Sequence, residues 1–169
     1  MEKLIKRIFA TGLPEVRLPA TPAHREETDA IAAFCAQAGR AIAVRHVDAG
    51  SCNACELEIL AANNIYYNLA RLGVHFVASP RHADILLVTG PVSRHMADPL
   101  RAAYAAMPAP KLVLAFGDCA AGCGVHTANY ATIGRVTDVI PVDITLPGCP
   151  PPPLVLISAL HRLASMKTA

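Results

Sequence analysis

Charge is scarce in this sequence. Only 17% of its 169 residues are Asp, Glu, Lys or Arg, and the formal net charge is +2. That balance carries no basic stripe, and aromatics at 5% form no RNA-binding motif, so a nucleic-acid partner is not expected. No apolar run reaches the roughly 18 residues that a membrane span requires. The N-terminus lacks the apolar core and small-residue cleavage site of a secretory signal. Without an export signal, six cysteines read as thiols or metal ligands rather than as a disulfide frame. Internal repeats and low-complexity tracts are also absent.

What the chain has in plenty is apolar side chain, 53% of the total. The length fits one domain with a sizeable core, and a surface that apolar is expected to be covered in part by partner proteins. Residues 1–40 read as an N-terminal helical extension. Leu4, Ile5, Ile8 and Phe9 share one helical face, which suits a membrane surface or a membrane-arm subunit as well as it suits a plain terminal helix. Pro14, Pro19 and Pro22 mark a connector. A second helix is expected over Arg25–Arg40, where Cys35 reads as a small buried hydrophobe.

From 41 to 169 the pattern changes to short β-rich runs alternating with helical ones. Strands are expected at Ala41–Val47, Val74–Ala78, Ile85–Val88, Leu112–Phe116 and Val142–Leu146. Helices are expected at Asn53–Leu72, where Leu57, Ala61, Ile65, Leu69 and Leu72 recur at helical spacing and Gly73 supplies the stop, from Asp98–Pro99 to about Met107, and at Leu154–Met166, with 120–134 irregular. Several strands are apolar throughout. The fold class is therefore α/β, a parallel sheet of about four strands with helices on both faces. In such folds ligand sites lie beyond the carboxyl ends of the strands.

That rule gives the cysteines their meaning. Cys52 and Cys55 form a C-x2-C pair just after the first strand, Cys119 follows Phe116, and Cys149 follows Leu146. Glycines at 50, 117 and 148 stand beside these stations and let the backbone approach. Parallel strands bring all three loops to one edge, so Cys52, Cys55, Cys119 and Cys149 are expected to form one four-thiolate metal site. All-thiolate sites select zinc or iron–sulfur clusters. Structural zinc favours two close pairs on small knuckles. One pair plus two distant singles on a large α/β domain suits a [4Fe–4S] cluster, and Pro150 after Cys149 echoes the Cys-Pro that closes many cluster sites. A redox dithiol at Cys52 and Cys55 would leave the other two cysteines without a role.

Together, Gly-Ser-Cys-Asn-Ala-Cys-Glu-Leu-Glu, Ser-Pro-Arg-His-Ala-Asp-Ile-Leu-Leu-Val-Thr-Gly, Gly-Asp-Cys-Ala and Pro-Gly-Cys-Pro-Pro resemble the small, 20-kDa-type subunit family shared by complex I and the [NiFe] hydrogenases. The resemblance covers roughly residues 42–160. It implies a flavodoxin-like domain with one [4Fe–4S] cluster on Cys52, Cys55, Cys119 and Cys149, and no catalytic residue of its own. It also implies a catalytic [NiFe]-hydrogenase-like large subunit, a ferredoxin-like iron–sulfur subunit and membrane-arm subunits as partners. Peripheral placement on the cytoplasmic side of the inner membrane follows from the same resemblance. Complex I subunits have adjacent cysteines at the first station, whereas C-x2-C resembles the hydrogenase branch, of the membrane-bound formate hydrogenlyase type. A quinone-reducing complex I-type subunit is the alternative, and a zinc-stabilised interaction module is a further one. Cys123 stands where the family has the first glycine of a Gly-Gly pair, which makes it a spare thiol or a competitor of Cys119.

Other polar residues have plainer readings. Glu56 and Glu58 suit a helix start, or a proton or interface role. His46, His95 and His126 fall in loops or at strand ends, and Arg81 and His82 in a turn. Asn63 and Asn64 are poor mid-helix residues.

Overall fold

β1, Ile42–Asp48, is the first strand of the sheet. Its β-branched residues alternate across the sheet, with Ile42 and Val44 on one face and Val47 on the other. The computed structural model describes residues 41–109, 111–126 and 128–166. The extension expected over 1–40, and Cys35 with it, lies outside the described residues.

After β1 come helix α1, Ala54–Ala62, and the short strand β2, Val74–Phe76. β3 is Ile85–Thr89 and β4 is Val92–Ser93. Helix α2, Ala97–Ala106, leads to β5, Leu112–Phe116, and to the single-turn helix α3, Asp118–Ala121. β6, Thr132–Gly134, β7, Ile144–Leu146, and helix α4, Pro153–Met166, complete the order. The main sheet runs β2-β1-β3-β5-β7 with every pairing parallel. Counted along the main sheet, that is the second-first-third-fourth-fifth order of flavodoxin-like folds. It has five strands where about four were expected, because the three-residue β2 pairs along the outer edge of β1.

Two apolar layers hold the sheet. One face carries Ile59 of α1 and Leu156, Ile157 and Leu160 of α4 over Val44, Leu87 and Leu114. The other carries Ala97 and Leu100 of α2 over Leu86, Val88 and Val113. β3 is buried at all five positions, as its unbroken apolar run requires of a strand covered on both sides. Each such Leu or Ile contributes about 1.5–3 kcal/mol on burial. At the far edge, Oδ2 of the buried Asp84 accepts the Ala43 amide at 3.0 Å. Asp84→Ala leaves the part-buried Ala43 amide short of a partner and is expected to cost about 1–3 kcal/mol in urea unfolding; an unchanged midpoint would contradict this.

Two sequence expectations change. The helix expected over Asn53–Leu72 stops at Ala62. Asn63 ends it, Asn64 Oδ1 accepts the amides of Tyr66 at 2.8 Å and Tyr67 at 3.0 Å, and Asn68 turns left-handed at φ 47°. Asparagine side chains compete with the helix for backbone partners, and three of them in six residues win here. A 3-10 turn, Leu69–Leu72, follows, ending at Gly73 as expected. The apolar set Leu57, Ala61 and Ile65 is consequently not the buried stripe: Cys55, Ile59 and Ala62 face the core. Second, 120–134 is not wholly irregular, since β6 pairs antiparallel with β4. Strands of two and three residues are too short to show a period.

Candidate metal centre

The carboxyl ends of β1, β5 and β7 open on one edge of the sheet, and the cysteine stations follow directly. After β1, Asp48 Oδ1 accepts the amides of Gly50 at 2.8 Å and Ser51 at 2.7 Å, folding the chain back toward α1. Ser51 Oγ accepts the Asn53 amide at 3.0 Å, and Asn53 enters α1 left-handed at φ 72°. Cys52 is left exposed, while Cys55 on the first turn is buried. The stations after β5 and β7 are laced together. Gly117 donates to the Leu146 carbonyl and Asp118 to that of Gly148, both at 2.8 Å, and the Gly148 amide donates to Asp118 Oδ1 at 2.7 Å. A cis peptide joins Cys149 to Pro150.

Two glycines make room for sulfur. Gly117 has φ 99°, and a Cβ placed there would lie 2.8 Å from Cys55 Sγ. Thus the first station's inner thiol rests against the loop that carries Cys119. A Cβ on Gly124 would lie 2.4 Å from Cys119 Sγ and 2.6 Å from the Cys119 amide nitrogen. Cys123, the competing thiol, turns its Sγ toward the Asp118 carbonyl at 3.6 Å.

The electrostatics are those of thiols brought together. Burial, then Glu56, then the charges of Cys119, Cys52 and Cys149 push the Cys55 thiol up to about 12. Cys149 is raised in the same sense by desolvation, then by Cys119, Asp118 and Cys52. Cys123 figures in neither set. Thiols that oppose one another's ionisation are relieved by a cationic group among them, which is what a soft metal centre supplies. Among the described residues no three His, Cys, Asp or Glu donors gather closely enough for a single ion. The all-thiolate donor set of Cys52, Cys55, Cys119 and Cys149, with Gly117 and Gly124 making room for two of the sulfurs, fits an iron–sulfur cluster by its chemistry.

Beside Cys55 lies a polar chain that sequence reasoning only half found. Glu56 Oε1 accepts from the Thr89 hydroxyl and Oε2 from the Ser51 hydroxyl. His46 Nε2 stands 3.0 Å from Thr89 Oγ1. Thr89 has one proton and gives it to Glu56, so His46 donates from Nε2, which fixes its tautomer. Burial lowers the His46 pKa, opposed by the charges of Glu56 and Asp48. Thr89 and Ser51 were visible in sequence only as the end of a strand and a turn. By contrast His95, His126, Arg81 and His82 are exposed and join no part of this group.

Comparison with known proteins bears on the same stretch. The family described as NADH ubiquinone oxidoreductase, 20 Kd subunit, matches residues 52–163, a span that takes in all four cysteines of the site. The chain is 44% identical over 140 residues to the probable membrane-bound hydrogenase subunit mbhJ of Pyrococcus furiosus, covering 80% of this chain and 84% of that one. It is 42% identical over 114 residues to formate hydrogenlyase subunit 7 of Escherichia coli, covering 68% of this chain and 45% of that one. Among solved structures, a chain of the membrane-bound sulfane sulfur reductase, an archaeal respiratory membrane complex, superposes with a TM-score of 0.67 at 28% identity, covering 80% of this chain and 75% of that one.

Proposed function

The chain belongs to the NADH ubiquinone oxidoreductase 20 Kd subunit family, whose members are subunits of oxidoreductase complexes, and from that premise we propose that it is the electron-transfer subunit of a membrane-bound [NiFe]-hydrogenase-like complex. One [4Fe–4S] cluster on Cys52, Cys55, Cys119 and Cys149 relays electrons to or from a catalytic site in a partner large subunit. The single observation that carries this reading is the convergence of three cysteine-bearing loops on one sheet edge, with Cys55 Sγ against Gly117. The separated C-x2-C pair and the two hydrogenase relatives favour hydrogen chemistry over a quinone-reducing complex I-type role.

A cluster at this site supplies reversible one-electron storage. The chain's own residues hold it and divide its surroundings. Cys55 and the Gly117 loop close the inner side, while Cys52 and Cys149 are exposed at the outer side, where electrons would pass. Beyond them, α1 turns Leu57 and Leu60, 58% and 67% exposed, away from the core. An apolar surface there suits burial under the large subunit. Further partners in this reading are a ferredoxin-like iron–sulfur subunit and membrane-arm subunits. Among the described residues no helix is long and apolar enough to cross a membrane. Attachment through partners, on the cytoplasmic face of the membrane, is part of the proposal.

Anaerobic purification tests the metal. A brown protein with broad visible absorption and bound iron and sulfide is expected, and a colourless, zinc-loaded protein would sink the cluster. Hydrogen-dependent viologen reduction by the intact complex tests the branch; an intact complex that reduces quinone and leaves hydrogen untouched would move the chain to the complex I side.

A further inference from the structure

Glu56 follows Cys55 directly, and both of its carboxylate oxygens are tied down. Thr89, fully buried, holds one and Ser51, in the ligand loop, holds the other. The side chain is 14% exposed, well short of the solvated acid that a helix start ordinarily tolerates. His46 Nε2, 3.6 Å from Oε1, backs the same oxygen and is held toward its neutral form by burial. The carboxylate is therefore fixed in place by two hydroxyl donors.

Resting on the iron–sulfur reading of the four cysteines, we propose that Glu56 sets the reduction potential of the bound group, holding it low. Reduction adds one electron and no bond is made or broken, so the whole cost of the step is electrostatic. A fixed negative charge on the residue next to a ligand, in a half-buried setting, opposes that added charge. Thr89 and Ser51 are positioning residues in this scheme, keeping the carboxylate at the ligand loop instead of in water.

The test is an EPR-monitored redox titration of the full chain, reconstituted anaerobically with ferrous iron and sulfide. Glu56→Gln, nearly the same shape without the charge, is expected to keep its iron and its signal while the midpoint shifts upward. Glu58→Gln, two residues along the helix, is expected to leave the midpoint close to wild type. A Glu56→Gln protein with full iron and an unmoved or lowered midpoint overturns the inference and leaves the cluster reading standing. A wild-type chain that takes up no iron overturns both. If the neutral variant loses its iron, Glu56→Asp decides: it keeps the charge and shortens the reach to Thr89, so its midpoint stays with wild type, and an upward shift there overturns the claim.

Discussion

Cys149→Ser is expected to empty the site. Serine keeps the size and the hydrogen-bonding atom but replaces a soft thiolate by a hard hydroxyl that iron and sulfide clusters bind poorly. Losing a partner that merely orients a ligand costs roughly 10–100-fold in metal affinity; losing the ligand itself should cost more. The Cys149 station is also exposed and laced to the Cys119 loop by Asp118 and Gly148, so the fold does not depend on this sulfur. The expected result is a protein of normal far-UV CD with most of its iron and sulfide gone and the visible absorption lost. Cys123→Ser is the matched control. Its sulfur turns toward the Asp118 carbonyl and plays no part in raising Cys55 or Cys149, so iron content should stay at the wild-type level. Wild-type iron in the Cys149 variant, or lost iron in the Cys123 variant, would mean that the ligand set is misassigned.

Gly124→Ala should reach nearly the same end without removing any ligand. The added Cβ would lie 2.4 Å from Cys119 Sγ, 2.6 Å from its nitrogen and 2.8 Å from its Cα. Two of those three atoms are backbone, so no rotamer change relieves the clash. Either the loop after α3 or the third thiol must move. Overpacking of this kind costs about 1–3 kcal/mol, and the displacement falls on the atom that would bind iron. Thermal unfolding of the metal-free chain measures the first effect, and iron content after reconstitution the second. The two should fall together; a variant as stable as wild type with full iron would show that Gly124 is not packed against Cys119. This bears on the departure at Cys123: of the glycine pair seen in the family, the chain keeps Gly124, the position whose Cβ would collide with the ligand, and replaces its neighbour, which is exposed.

How far the sequence reached can be seen element by element. β5 was legible to the residue, because five apolar, β-rich positions between a lysine and a glycine leave no other reading. β3 extended one residue further than expected, to Thr89, and that residue holds Glu56. Helix α1 was too long in the sequence reading because apolar spacing continues through Leu69 and Leu72, while the asparagine side chains that break it act through specific hydrogen bonds. Leu57 and Ile65, two of the apolar positions that marked the helix, face outward, and periodicity cannot distinguish such a face from a core face when both sides of a helix are apolar.

The sequence by itself determined the parallel α/β sheet and set Cys52, Cys55, Cys119 and Cys149 just after its strands, since strand periods, glycine breaks and the edge rule are all local signals that add up along a chain. Only the tertiary structure decided which thiol is enclosed, that Gly117 and Gly124 make room for sulfur, and that Thr89 and Ser51 fix Glu56 beside Cys55. Those are contacts between loops and strands far apart in sequence, set by sheet register and by a few ångströms of backbone approach, and no periodicity along the chain encodes them.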